Sequence, residues 1–131
     1  MRFVLDTFAV MAYLRRERGH NIVRQLFVET LAGTHESHMS VINLGELFYM
    51  QWRKGSQAKA ENAVKFVQSV GVRIEPATTV RVMNAARIKA VVSLSYADAF
   101  AASLAQEINA TLVTGDPEYK PFETSINIHW L

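Results

Sequence analysis

The chain contains no cysteine, which excludes a disulfide framework, a thiolate nucleophile and a zinc ribbon. No apolar run approaches the roughly 20 residues that a membrane-spanning helix needs. The opening Met1-Arg2-Phe3-Val4-Leu5-Asp6 reaches a charge too soon for the apolar centre of a signal peptide. These absences lead to the expectation of a reducing, cytoplasmic setting without membrane contact. The six glycines nowhere form a phosphate-cradling loop followed by Lys-Ser or Lys-Thr. The four histidines show no ligand spacing beyond His35 and His38, which alternate faces on a strand, so zinc is not expected. Ser40 and Ser95 lack the Gly-x-Ser-x-Gly elbow of a serine hydrolase. Neither sign of charge dominates: 14 basic residues against 12 acidic ones leave a net +2, a weak statement about partners.

With half of its residues hydrophobic and 20% charged, the chain has an ordinary globular composition rather than a disordered one. At 131 residues a single domain, 1–131, is expected, and it shows no repeat, linker or low-complexity tract. Residues 2–5 read as a short buried strand of the parallel type. Helical spacing follows over 7–16 and again from Ile22 to Leu31, and 35–39 is a second strand of polar wording. Ser40 opens a helix that Gly55 stops, and 56–69 forms another. Val72 to Glu75 alternates as a strand, Thr79–Val92 and Ser95–Ile108 are helices, and 111–113 and 126–130 are the last strands. Strands alternating with helices predict a three-layer α/β/α sandwich around a parallel five-stranded sheet.

Within this pattern four acids stand alone among apolar neighbours: Asp6, Glu46, Asp98 and Asp116. Asp6 and Asp116 follow the first and fourth strands, at the sheet end where ligands bind in such folds. Glu46 has Ile42 and Met50 one turn away, and Asp98 has Leu94, Ala101 and Ala102. Both helical acids therefore lie on or beside a packed face, with no Lys or Arg one turn away to pair with them. Each acid has a plainer role available as a cap or turn residue. As a group they make a different demand. Two carboxylates about 4 Å apart repel by several kcal/mol at an effective dielectric near 20. Such a cluster calls for a shared proton or a divalent cation, and an all-oxygen site suits Mg²⁺ or Mn²⁺. The hydroxyls of Thr7 and Thr114, beside strand ends, can hold waters or carboxylates.

Val4-Leu5-Asp6-Thr7, Asn43-Leu44-Gly45-Glu46, Leu94-Ser95-Tyr96-Ala97-Asp98-Ala99 and Leu112-Val113-Thr114-Gly115-Asp116-Pro117-Glu118-Tyr119 resemble the four acidic motifs of PIN domains. The length and wording resemble the VapC toxins of toxin–antitoxin pairs, and the resemblance spans essentially the whole chain. It implies a sheet of order 3-2-1-4-5 and a metal-dependent endoribonuclease. Asp6, Glu46, Asp98 and Asp116 would then hold Mg²⁺ or Mn²⁺, assisted by the Thr114 hydroxyl. It also implies an RNA substrate, a homodimer and a VapB-type antitoxin that covers the groove. Glu118 stands where some members carry a further aspartate, and it is not counted among the primary ligands. The competing reading within the fold is a catalytically silent PIN-like domain that binds RNA or protein. A phosphorylatable receiver domain is disfavoured, because Asp6 is followed by Thr7-Phe8 and the third strand ends in Glu75-Pro76.

Two further groups bear on partners. Arg15 and Arg16, with Arg53 and Lys54, are candidate contacts to an RNA backbone. Phe8, Met11, Tyr13, Leu14, Phe27 and Val28, with Tyr49 and Trp52, exceed what one buried face of their helices needs. Either they complete the core or they form a dimer or antitoxin surface.

Overall fold

A computed structural model describes residues 1–131. The elements run β1 (Arg2–Leu5), α1 (Thr7–Leu14), α2 (His20–Leu31), β2 (Glu36–Ser40), α3 (Val41–Lys54) and α4 (Gln57–Ser69). They continue as β3 (Arg73–Glu75), α5 (Thr79–Val91), α6 (Tyr96–Glu107), β4 (Thr111–Thr114), a 3-10 helix η1 (Pro117–Phe122) and β5 (Ile128–Trp130). All neighbouring strands pair in parallel, in the order β3-β2-β1-β4-β5. The chain runs outward from β1 through β2 to β3, then crosses back to lay β4 and β5 on the other side of β1. The order therefore reverses between β1 and β4, and a crevice opens there beyond the strand ends.

Alternation along the strands divides the interior. Leu5, Met39 and Val113 join a core of 15 buried residues shared with α1 to α4, while Val4 and Leu112 join one of 14 beneath α5 and α6. Two cores of similar size mean that both sheet faces are covered, which is why the central strands are apolar on both sides. β2 is the exception, with Ser37, His38 and Ser40 all buried. Its polar groups are matched from afar: Ser37 Oγ lies 2.7 Å from Thr30 Oγ1, and His38 Nδ1 lies 3.2 Å from Glu75 Oε1.

Side-chain caps set the helix starts. Asp6 accepts from the Ala9 N–H, Ser40 from Ile42, Ser56 from Lys59, Thr78 from Arg81 and Ser95 from Asp98. Each such cap contributes about 1 kcal/mol. α1 ends two residues before the sequence periodicity does, because Arg16 adopts a left-handed conformation (φ 52°). Gly19 (φ 86°) then lets the chain turn close to Leu131, whose Cβ would lie 2.6 Å from a Cβ at position 19. β5 starts at Ile128, with Ile126 buried just before it. Of the apolar residues on the first helices, Met11 and Phe27 are buried and Tyr13 and Leu14 pack against the core. Phe8, Val28, Tyr49 and Trp52 remain exposed. No single helix is long and apolar enough to cross a membrane.

Candidate active site

The crevice between β1 and β4 collects the acids. Asp6, directly after β1, is 1% exposed. Its Oδ1 accepts from the Ala9 N–H at 2.9 Å and its Oδ2 from the Thr114 hydroxyl at 2.5 Å. Each oxygen keeps a lone pair after these bonds. The Thr114 hydroxyl in turn accepts from the Asp116 N–H at 3.1 Å, so one side chain ties the ends of β1 and β4 together. Asp116 caps η1 by accepting from the Glu118 N–H at 2.9 Å.

Asp98 comes from the first turn of α6 and is 8% exposed. Ser95 Oγ accepts its N–H, and the Tyr119 hydroxyl donates to its Oδ1 at 2.9 Å. Tyr119 is fully buried and reaches Asp98 because η1 folds back under the strand ends. Glu118, on the other side of η1, accepts from the Ser95 N–H at 3.2 Å. Carboxylate oxygens of Asp98, Asp116 and Glu118 all lie within 4.8 Å of one another.

The structure therefore brings Asp98 and Asp116 together with Glu118, which the sequence reading left outside the primary ligands. Asp6 sits behind this trio, close enough for its charge to act on Asp98. Glu46 approaches from α3 and lines the same groove of about 400 Å³, without joining the trio. Thr7 is committed elsewhere, since its hydroxyl donates to the Asn43 carbonyl at 3.0 Å. Asn43 is fully buried and its Nδ2 donates to the Ala97 carbonyl at 3.1 Å, joining α3 to the start of α6. Its Oδ1 has no protein partner. Among the basic candidates, Lys54 lines the groove and Arg15 lines an adjoining concavity. Arg53 lies over the Tyr49 ring, 5.1 Å from its centre. Arg16 lines neither cavity.

Electrostatics shows the cost of this gathering. Burial pushes the Asp6 carboxyl up to about 7, with Asp116 adding to the rise against the hydrogen bonds from Thr114 and Ala9. Burial also pushes Asp98 up to about 8. The adjacent Glu118 carboxyl and the charges of Asp116 and Asp6 reinforce that rise, while the Tyr119 hydroxyl opposes it. Burial and the nearby charges of Asp6 and Asp98 raise the Tyr119 phenol strongly, so it stays a donor. Carboxyls held this far above the ordinary aspartate range mark a cluster short of positive charge. The donor set is all oxygen and gathered within 4.8 Å, so the residues present suit a hard divalent cation held directly or through water.

Tyr119, Asn43 and Glu118 were not singled out as site residues by sequence reasoning. Glu118 carried a signal, two residues after Asp116. Tyr119 and Asn43 carried none beyond their place inside the motifs, because their roles depend on contacts across the fold.

No curated protein matches the chain by sequence. Solved structures do match its fold. A VapBC2 structure from Rickettsia felis, bound to a DNA fragment from its promoter, superposes with a TM-score of 0.74 at 20% identity, covering 100% of this chain and 99% of that one. Mycobacterium tuberculosis VapC20, described as a sarcin-ricin loop cleaving toxin, gives 0.73 at 18% identity, covering 91% and 93%. DNA-bound VapBC from Salmonella typhimurium gives 0.72 at 19%, covering 98% and 97%. The five-stranded parallel sheet between its layers of helices is thus that of an established fold. The PIN domain profile matches residues 3–123, and the chain belongs to the PIN-domain family.

Proposed function

We propose that this protein is a metal-dependent endoribonuclease, the VapC-type toxin of a toxin–antitoxin pair, which hydrolyses RNA phosphodiester bonds. The observation that carries this reading is the trio Asp98, Asp116 and Glu118, within 4.8 Å, backed by Asp6 and Asp98 carboxyls whose ionisation is opposed. A bound Mg²⁺ or Mn²⁺ would supply Lewis-acid stabilisation of a phosphoryl oxygen and ease the ionisation of water. Asp98, Asp116, Asp6 and Glu46 are the residues proposed to hold it, directly or through water, with Glu118 added on geometry.

The chain's own residues then divide the work. Thr114 fixes Asp6 and the Asp116 backbone in one hydrogen-bonded unit. Tyr119 orients Asp98 from below. Glu46, which lines the groove from α3, is the residue proposed to position the attacking water and take its proton. Arg15 and Lys54, with Arg16 and Arg53 at the outer surface, supply positive potential for the RNA backbone. A VapB-type antitoxin is the proposed partner, covering the same groove in a cytoplasmic complex. A homodimer is the proposed assembly, and light scattering after size exclusion tests it: a monomer near 14.7 kDa at high concentration would contradict it.

The direct test is cleavage of purified total bacterial RNA with Mg²⁺ or Mn²⁺, beside EDTA and an Asp6→Ala control. Discrete products that require both the metal and Asp6 are expected. A folded, metal-supplied protein that cuts nothing would favour the silent RNA- or protein-binding domain instead.

A further inference from the structure

The groove does not end at the carboxylates. Phe8 and Met11 line it from α1, and Met50 and Lys54 from α3. A second concavity of about 410 Å³ adjoins it, with Leu14, Arg15, Gln51, Lys54 and Lys59 on its walls. Lys54 lines both, so the two concavities adjoin at that residue. Residues 8, 11 and 15 mark successive turns of α1, as 46, 50 and 54 do of α3. The result is a trough along the cleft between these helices, about 12 Å from Thr7 to Arg15 at 1.5 Å per residue.

Its chemistry changes along that length, from carboxylates to apolar and aromatic side chains to cations, with Glu17 the one acid outside the cluster. Phe8 is 45% exposed although its ring lies against the end of β4. A Cβ at position 115 would come within 2.4 Å of Phe8 Cε1, so the ring holds its place only because residue 115 is glycine. At the far end Arg15 is partly neutralised by Glu17 at 3.4 Å. Lys54 and Lys59 enter no ion pair and remain free to meet an anion.

We propose that this trough is a subsite for an unpaired stretch of RNA, in which Phe8 stacks on a base beside the scissile phosphate and Arg15, Lys54 and Lys59 hold a phosphate further along the strand. An aromatic platform followed by cations is the arrangement that recognises single-stranded nucleic acid, because every unpaired base offers a face and every linkage a charge. A duplex keeps its bases stacked inside and has nothing to offer Phe8. The inference rests on RNA as the substrate of the acidic site and specifies which part of an RNA enters it.

The test is binding rather than cleavage. Fluorescence anisotropy in EDTA and low salt compares a labelled single-stranded oligoribonucleotide of mixed sequence with the same strand in a duplex. The wild-type chain is expected to prefer the single strand. Phe8→Ala and Phe8→Leu are expected to weaken single-strand binding roughly five- to hundredfold, with Phe8→Trp close to wild type and duplex binding unchanged. Leucine keeps an apolar cover over Gly115 without an aromatic face, so a merely structural role predicts wild-type binding by Phe8→Leu. The Lys54→Ala/Lys59→Ala pair should flatten the plot of log affinity against log salt by about 0.7 for the phosphate lost. Wild-type binding by Phe8→Leu, equal losses on single strand and duplex, an unchanged salt slope, or no single-strand preference would each overturn the proposal. If wild type cleaves RNA but these variants bind normally, the nuclease stands and the trough falls. If the binding pattern holds in a chain that cleaves nothing, the trough stands and the nuclease falls.

Discussion

Replacing Asp98 by asparagine should stabilise the metal-free protein while abolishing cleavage. Asp98 is 8% exposed, and its carboxyl is pushed up to about 8 by burial, the adjacent Glu118 and the neighbouring acids. At about 1.4 kcal/mol per pH unit, full ionisation in the folded state costs on the order of 5 kcal/mol more than in the unfolded chain. Part of that cost belongs to Glu118 and Asp116, so about 2–5 kcal/mol is the expected gain on removing the charge. For a domain of this size that corresponds to roughly 5–15 °C in melting temperature. Asparagine keeps an oxygen for the Tyr119 hydroxyl, so the packing beneath it survives. The sign fixes the pH dependence. An acid whose folded pKa lies above its unfolded value stabilises most below the unfolded value, and that contribution is lost as pH rises towards the folded one. The advantage of Asp98→Asn over wild type should therefore be near zero around pH 4 and grow up to about pH 8. Other groups titrate equally in both proteins and cancel. Thermal melts in EDTA across this range measure the difference, and a second series with Mg²⁺ should raise wild type far more than the variant. If the variant melts at or below wild type at pH 8, or its advantage does not shrink towards acid, the clustered-charge argument is wrong.

Thr114→Val should cut the turnover number about 10- to 100-fold by freeing the Asp6 carboxylate and the Asp116 backbone, with Thr114→Ser restoring most of it; steady-state kinetics on a cleaved RNA would show this. Tyr119→Phe removes the one hydroxyl that holds Asp98 down, so the acid limb of the pH–rate profile should move to higher pH. Gly115→Ala should cost no more than about 1 kcal/mol in urea unfolding, because the new methyl has only to push aside the half-exposed Phe8 ring. Away from the groove, burial would raise the Glu75 carboxyl, but hydrogen bonds from His38 and Arg81 outweigh it and hold it below its usual range. The stability it gives is present above the unfolded pKa and lost as pH falls through the folded one. Glu75→Gln should thus cost stability at pH 7 and little near pH 3, as acid-range melts would reveal.

Much of this was legible in the sequence, for physical reasons that differ between elements. The helices and the apolar strands β1 and β4 announce themselves by periodicity, and the caps Ser40 and Ser95 by residue type. β2 does not, because Ser37 and His38 are tolerated in the interior only through partners 7 and 37 residues away. Nor does η1, a short 3-10 helix that contains two prolines, whose importance lies in bringing the Tyr119 hydroxyl to Asp98. Asp6, Asp98 and Asp116 were legible as isolated charges. Their supporting groups were not, since a tyrosine hydroxyl or a buried amide acquires its role only when distant segments meet. Phe8 is a separate case: the sequence leaves it between core and interface, and its exposure and its contact with Gly115 give it another meaning.

Capping and metal binding looked like rival explanations for these acids, and the structure shows why they are not. Parallel strands end where the following helices begin, so acids after β1 and β4 meet helix N-termini. Asp6 caps α1, Asp116 caps η1, Asp98 lies in the first turn of α6 and Glu118 in that of η1. Exposed backbone N–H groups and the positive end of a helix favour a nearby carboxylate by about 0.3–1 kcal/mol, and by up to ~2 kcal/mol when partly buried. Against that, Asp6 and Asp98 rise to about 7 and 8, which at 1.4 kcal/mol per unit is roughly 4–6 kcal/mol each before the cost is shared. Caps alone therefore leave the cluster undercompensated at neutral pH. The fold supplies enough positive field to assemble the acids and too little to ionise them all. The remainder must come from a proton or a cation, and only a cation leaves every carboxylate available as a ligand.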